Sequence, residues 1–515
     1  MKALLMHRDL DFEAVQDRPG HERDPARHLP GHARALSQDL ELGTLVGAMA
    51  DGDKFLDDVA QRVLFAGFEN DVDTVLYRQA ALQDCLRNPT VVRALYDLAV
   101  EAIEERRRQW FSTSSQYPGA TLYGAINLMH LFTGILRRLR DVAREHAGAF
   151  ASEAFRALFA TLDRELSDEY LARIQEHLRR LQFRGGVLVS AELGRGNEGQ
   201  TYILRKPWAQ SWLQRIVGKR PPSFSFRLHP RDMAGAQALS ELRDRGIHLA
   251  ANALGQSADH LLSFFQMLRT ELAFYVGCLN LHGRLAAKGE PVCFPRPAPA
   301  GERVLRYSAL YDVCLSLHLE PRVVANTAAA DGKSLVVITG ANRGGKSSFL
   351  RSIGMAQLMM QCGMFVGAES FDGELCTGLF THYKREEDAT MKSGKFDEEL
   401  ARMSDIADRV SPNSILLLNE SFAATNEREG SEIARQIVSA LLEKGIKVFF
   451  VTFLSEFSRG FFERSPDNTM FLRAERLDDG TRTFRLVEAE PLDTGYGIDL
   501  YKRIFGGGTE DVSAG

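Results

Sequence analysis

Apolar residues recur at helical spacing over residues 46–182: Phe55, Val59, Val63, Leu64 and Phe68; Val91, Leu95, Leu98 and Ala102; Leu131, Ile135, Leu136 and Leu139; Phe155, Leu158, Phe159 and Leu162. This period predicts helix after helix, each with one face toward a core. Residues 1–45 show no sustained period and carry scattered His, Pro and charged residues, so they read as a polar N-terminal arm. At 183–232 the period changes: Gly186–Ser190 and Thr201–Leu204 predict two short strands joined by the glycine-rich stretch 194–199. Helical spacing returns at 233–285, where Leu261, Phe264, Phe265, Leu268, Leu272 and Tyr275 make an apolar band wider than one face, as in a strut buried on most sides. Pro291 to Pro299 predicts a linker.

Beyond the linker the pattern is of another kind. Leu335–Ile338, Ile415–Leu418 and Val448–Val451 are short, wholly apolar runs, as in strands buried on both faces, with helical patterns between them. Met470–Leu472 begins a further strand, with Thr483–Glu490 as a possible antiparallel edge. The fold class expected is therefore multidomain α and α/β. A helical core or lever region at 46–298, holding the β segment at 183–232, precedes an α/β domain with a mostly parallel sheet at 299–515.

Composition narrows the class. A chain of 515 residues exceeds one core, and its charged and apolar fractions are those of a soluble globular protein. The net charge of −5 excludes a wholesale polyanion binder, so any nucleic-acid contact must be a local basic patch. Six scattered cysteines without a C-x-x-C pair fit a reducing compartment and no zinc site. No secretory h-region and no apolar run of membrane-spanning length are evident, which predicts a cytoplasmic protein with no membrane partner.

The chemistry concentrates in Ser334–Gly354. The strand Leu335–Ile338 runs into Gly340-Ala341-Asn342-Arg343-Gly344-Gly345-Lys346-Ser347, which meets G-x-x-x-x-G-K-S/T at every fixed position, and a helical stretch follows. Backbone N–H groups of such a loop and the helix N-terminus surround a phosphate. Lys346 would reach the β- and γ-phosphates of ATP, and the Ser347 hydroxyl would ligate Mg²⁺. A triphosphatase also needs a carboxylate at the end of a neighbouring strand; Asn419-Glu420 follows Ile415–Leu418, offering Glu420 as base and Asn419 as a neutral metal ligand. The segment 205–231 carries Arg205, Lys206, Arg215, Lys219, Arg220, Arg227 and Arg231 with no acidic residue, interleaved with Trp208, Trp212, Phe224 and Phe226. Two readings fit it: a nucleic-acid contact in which cations meet phosphates and aromatics stack, or an exposed basic loop whose aromatics pack locally. The G-x-G-x-x-G at 194–199 lies in a hairpin turn with no helix after it, so it is no dinucleotide fingerprint.

These residues resemble the ATPase domain of the MutS DNA mismatch-repair family. Thr339 to Ser348 matches T-G-x-N-x-G-G-K-S-T; Gly363 to Ala368 resembles G-x-Y/F-V-P-A, with Gly367 in place of the proline. Phe380-Thr381, Asp388 and Phe396 keep the spacing of F-T-R-x-G-x-x-D-D-x-x-x-G-x-S-T-F, and Tyr496-Gly497-Ile498 matches a late S-Y-G-I. Asn419-Glu420 through Gly430 spans the length of D-E-x-G-R-G-T-S-x-x-D-G, and the stretch from Asp71 to Gln79 looks like the lever core. The resemblance implies an ATP-dependent, Mg²⁺-requiring DNA-binding protein of repair or recombination, a homodimer through its ATPase domains with a DNA clamp moved by helical levers. It implies phosphate contacts from Gly340 through Ser348, and a contact with the opposite subunit's nucleotide from Gly394 or the adjacent Ser393. Asn419 stands for the family's Asp and Phe453 for the histidine of its T-H-Y/F turn, which implies slow hydrolysis. An alternative follows: a nucleotide-gated scaffold that hydrolyses little and binds a protein partner. The stretch ahead of the helical core is too short for the family's mismatch-reading domain, so structured DNA is the expected target.

Overall fold

The computed structural model describes residues 2–8, 32–113, 118–206, 224–385, 394–464, 467–477 and 480–491. The chain opens with Ala33–Asp39 (α1), Leu42–Ala50 (α2), Lys54–Ala66 (α3) and Val72–Arg87 (α4). Next come Pro89–Thr113 (α5), Pro118–His146 (α6), Glu153–Glu165 (α7) and Asp168–Leu181 (α8). The strands Val189–Leu193 (β1) and Gly199–Leu204 (β2) precede Met233–Ala287 (α9), a single helix of 55 residues. The chain forms two compact units.

The first unit comprises residues 1–3, 90–150 and 155–272. Its helices bury the apolar faces read from the sequence: Leu95, Leu98, Phe132, Leu136, Leu139, Phe155 and Leu162 are all inside, and Phe132 packs on Phe265 with ring centroids 5.4 Å apart. Arg140 is buried among them because its guanidinium donates to the Leu166 carbonyl at 2.8 Å and to the Asp168 carboxylate at 2.7 Å. A buried charge survives when its donors are so met. β1 and β2 pair antiparallel as a hairpin. By length and composition alone α6 is apolar enough to cross a membrane, unlike the expectation from the sequence, but half of that window is buried inside the protein.

The second unit comprises 4–89, 151–154 and 273–515. Here the expectation of a polar arm at 1–45 fails for the described residues. Leu5 and Met6 are buried, the Tyr77 hydroxyl donates to the Leu4 carbonyl at 2.7 Å, Tyr275 to Leu5 at 2.7 Å and the Arg78 Nε to Met6 at 2.9 Å. Partners distant in sequence satisfy this short segment's backbone, so it needs no period of its own. α1 and α2 likewise bury Leu36, Leu45, Val46 and Met49.

The α/β part follows: Arg296–Ala298 (β3), Leu305–Leu310 (β4), Val313–His318 (α10), Asn326–Ala329 (β5), Leu335–Gly340 (β6), Lys346–Gln361 (α11), Ser370–Glu374 (β7) and Leu379–Tyr383 (β8). Then come Lys395–Ala407 (α12), Ile415–Asn419 (β9), Glu427–Glu443 (α13), Lys447–Val451 (β10), Ser455–Arg464 (α14), Thr469–Arg476 (β11) and Arg482–Glu488 (β12). Among the described residues a six-stranded sheet runs β12-β11-β6-β10-β9-β8, parallel except for the antiparallel edge β12. Its central strands are buried on both faces, as their unbroken apolar runs predict. A second sheet, β3-β7-β4-β5, was not evident in the sequence. It takes in part of the expected linker, since Arg296–Ala298 pairs with Asp372–Glu374; Pro297 is tolerated because β3 is an edge strand.

Candidate functional site

The carboxyl ends of β6, β9 and β10 lie side by side, the place where open parallel sheets take ligands. From β6 the chain turns at Gly340, whose φ is +112° and where a Cβ would stand 2.9 Å from the Ala474 amide nitrogen. The loop ends at Gly345, φ +88°, where a Cβ would lie 3.0 Å from the Phe484 carbonyl oxygen. Only glycine fits such positions without strain. Arg343 between them is also left-handed at φ 59°, and both Asn342 and Arg343 are exposed. Gly345 caps α11, so the first amides of that helix open onto the loop.

Lys346 is buried. Its ammonium donates to the carbonyls of Gly340 at 2.9 Å and Ala341 at 2.8 Å, and lies 4.4 Å from the centre of the Phe453 ring. Burial pulls its pKa down to about 8; Glu420 opposes that shift and Arg482 adds to it. Ser347 is exposed, with its hydroxyl 3.1 Å from the Asn419 Oδ1 at the end of β9. Glu420 follows in a left-handed conformation, φ 54°, its N–H donating to the Val451 carbonyl at 2.8 Å. The second unit thus brings together Gly340 through Ser348, Asn419, Glu420 and Phe453, which lie far apart in sequence.

Sequence reasoning missed the cavity beside this loop. It measures about 230 Å³, and its lining includes Tyr311, Val323, Val324, Ser348, Phe349 and Phe484. Most of its walls come from the β4–α10–β5 stretch, which carries no motif. The buried Glu290 shapes one wall, accepting from the Ser316 hydroxyl at 3.0 Å and the Val323 amide at 3.2 Å.

As metal ligands, Ser347 and Asn419 offer two adjacent neutral oxygens. Among the described residues no group of three or more His, Cys, Asp or Glu is gathered to hold a metal by itself. That donor set suits a hard cation whose charge is balanced by phosphate and whose shell is completed by water.

The other candidates lie elsewhere. Gly394 precedes α12 as its N-cap, with no side chain to cap the helix; Ser393 falls outside the described residues. In the first unit Arg205 donates to the Ser190 hydroxyl at 2.8 Å, and Lys206, Arg227 and Arg231 are exposed. Phe224 and Phe226 are 97% and 77% exposed, so these aromatics do not pack locally. Arg215, Lys219, Arg220, Trp208, Trp212, Asp388 and Tyr496 to Ile498 lie outside the described residues.

Two family models match the chain: the MutS2 N-terminal domain over residues 70–288 and MutS domain V over residues 336–505. Endonuclease MutS2 of Thermus thermophilus is 32% identical over 181 residues, which are 35% of this chain and 23% of that protein. MutS protein homolog 4 of Mus musculus is 29% identical over 158 residues, 31% of this chain and 16% of that protein. DNA mismatch repair protein MutS of Chloroflexus aurantiacus is 26% identical over 271 residues, 51% of this chain and 28% of that protein. The chain thus spans about a quarter or less of the length of most of these relatives.

Proposed function

From its membership of the MutS-like family, we propose that this chain is an ATP-driven DNA-binding protein of DNA repair or recombination. Two copies pair through their ATPase domains, and nucleotide binding gates a clamp on structured DNA. The observation that carries this reading is the convergence, at the ends of three parallel strands, of a phosphate-loop lysine, the Ser347–Asn419 oxygen pair and Glu420.

In this reading Gly340 through Ser348 enclose the triphosphate. Lys346 leaves its two carbonyl partners for the β- and γ-phosphates. The neighbouring cavity takes the adenine, its apolar walls giving a flat base a dry face on each side. Ser347 and Asn419 hold Mg²⁺, which when bound neutralises charge between the phosphates. Glu420 orients and deprotonates the attacking water. Ser393 or Gly394 meets the nucleotide of the opposite subunit, and the basic segment from Arg205 to Arg231 meets DNA phosphates while Phe224 and Phe226 stack on bases.

The test is steady-state ATP hydrolysis with and without branched DNA, for the wild type, Glu420→Gln and Lys346→Ala. DNA-stimulated turnover that is lost in both variants is the expected result. A second reading, a nucleotide-gated switch with little hydrolysis that docks a protein partner, is favoured by one observation: the Phe453 ring sits against Lys346 where a proton-carrying side chain would assist turnover. Tight ATP binding without turnover, abolished only by Lys346→Ala, would select it.

A further inference from the structure

The turn that carries Glu420 is strained. Glu420 and Phe422 both have left-handed backbones, φ 54° and 65°, and neither is glycine. A side-chain-bearing residue held in this conformation is strained and persists only where its surroundings over-determine it. The residues that hold this turn come from three other elements.

Glu399, on α12, accepts the Phe422 N–H on its Oε1 at 2.8 Å. Its Oε2 is buried with no hydrogen-bond partner among the described residues, and burial raises its pKa against the opposing pull of backbone amides, Arg402 and Lys384. Stranding a carboxylate oxygen inside is a costly way to fill space, so a packing role alone does not account for it. His382, at the end of β8, holds Ser421. Burial pushes the His382 pKa down to about 4, so its ring is neutral at pH 7 and carries one proton. Its Nε2 lies 3.0 Å from the Glu399 carbonyl, which can only accept, so the proton sits on Nε2. The Ser421 hydroxyl donates to the His382 backbone carbonyl at 2.7 Å, and its oxygen lies 2.7 Å from the ring Nδ1. The Phe422 ring lies nearly parallel to His382, centroids 5.7 Å apart. On the other side the backbone of α13 closes in, with a Cβ at Gly430 standing only 2.4 Å from the Phe422 carbonyl oxygen.

We propose that Glu399 and the His382–Ser421 pair are positioning residues for Glu420, fixing the left-handed turn so that its carboxylate stays directed at the phosphate loop. This rests on the reading of Glu420 as the hydrolytic base. Glu399 acts through one acceptor oxygen, so a glutamine replaces it and a leucine does not. Loss of the clamp lets the turn relax toward an unstrained backbone and withdraws Glu420, while the phosphate loop, which none of these residues touches, binds nucleotide as before.

The experiment measures kcat, KM, ATP affinity and thermal midpoint for the wild type, Glu399→Leu, Glu399→Gln, Ser421→Ala and Glu420→Gln. The expected result is a fall in kcat of tenfold or more for Glu399→Leu and several-fold for Ser421→Ala, with ATP affinity within about twofold of wild type. Glu399→Gln recovers most of kcat. If Glu399→Leu fails to fold, Ser421→Ala, which removes a single oxygen, decides. Wild-type kcat in the folded variants, or a loss confined to KM, overturns the proposal. Turnover that survives Glu420→Gln, or a wild type with no turnover, overturns the reading of Glu420 itself and this proposal with it.

Discussion

Lys346 gives a proton-coupled signature of nucleotide binding. Buried against Phe453 and the carbonyls of Gly340 and Ala341, it titrates at about 8, well below the ordinary lysine range. That displacement corresponds to a cost on the order of 3 kcal/mol for holding the charged form inside. The cost is present below pH 8. Between about 8 and the ordinary lysine pKa the unfolded chain binds more protons than the folded one, so the stability of the nucleotide-free protein rises with pH across that window. A polyphosphate beside the ammonium offsets the desolvation and draws the pKa back up.

Binding must therefore take up protons. At pH 8 about half of the chains lack the Lys346 proton, so roughly 0.5 proton is absorbed per nucleotide; at pH 7 roughly 0.1 is. Titration calorimetry with a non-hydrolysable Mg·ATP analogue, in two buffers of different ionisation enthalpy, reads this number directly. Binding heats independent of buffer at pH 8 would refute the reasoning. So would the same uptake in Lys346→Ala under conditions where that variant still binds.

Three further outcomes are expected. Asn419→Asp places a charged oxygen beside the Ser347 hydroxyl and should tighten Mg²⁺ about tenfold or more, read as the magnesium dependence of nucleotide binding. Gly340→Ala meets both a φ of +112° and a backbone nitrogen at 2.9 Å, and should cost about 1–3 kcal/mol by denaturant unfolding, whereas Gly134→Ala, in the open on α6, should stabilise by about 0.5–1 kcal/mol. Replacing Arg215, Lys219 and Arg220 together by Glu should flatten the dependence of DNA affinity on salt by about three ions, measured by fluorescence anisotropy; an unchanged slope would remove the clamp assignment.

What the sequence revealed depended on how local the determinant was. The buried parallel strands were legible because residues such as Leu335–Ile338 and Val448–Val451 are apolar without break, and the loop because its glycines and lysine stand at fixed spacing. The second sheet was not legible: β4 alternates only weakly, and β3 holds a proline that reads as a break until its position at an edge is known. The N-terminal segment at 2–8 has no period because tyrosine and arginine side chains distant in sequence satisfy its backbone. At the site, Glu420 was singled out from its strand, but the contacts on its turn were not. His382, Glu399 and Gly430 act through three separate elements, and no spacing links them.

The departure at 419 bears on one charge. Lys346 is flanked in sequence by Ser347, and Ser347 touches Asn419. Of the groups that move the Lys346 pKa, Glu420 is the one that raises it; burial and Arg482 lower it. A carboxylate at 419 would supply a second stabilising charge beside Glu420. With a neutral asparagine at 419, Glu420 is left to oppose the burial that lowers the Lys346 pKa to about 8. The consequence couples two of the perturbations above. In Asn419→Asp the Lys346 proton is held before nucleotide arrives, so proton uptake at pH 8 should shrink as Mg²⁺ affinity grows. If Mg²⁺ tightens while uptake stays at half a proton, the two residues are electrostatically independent, and the lowered pKa belongs to burial alone.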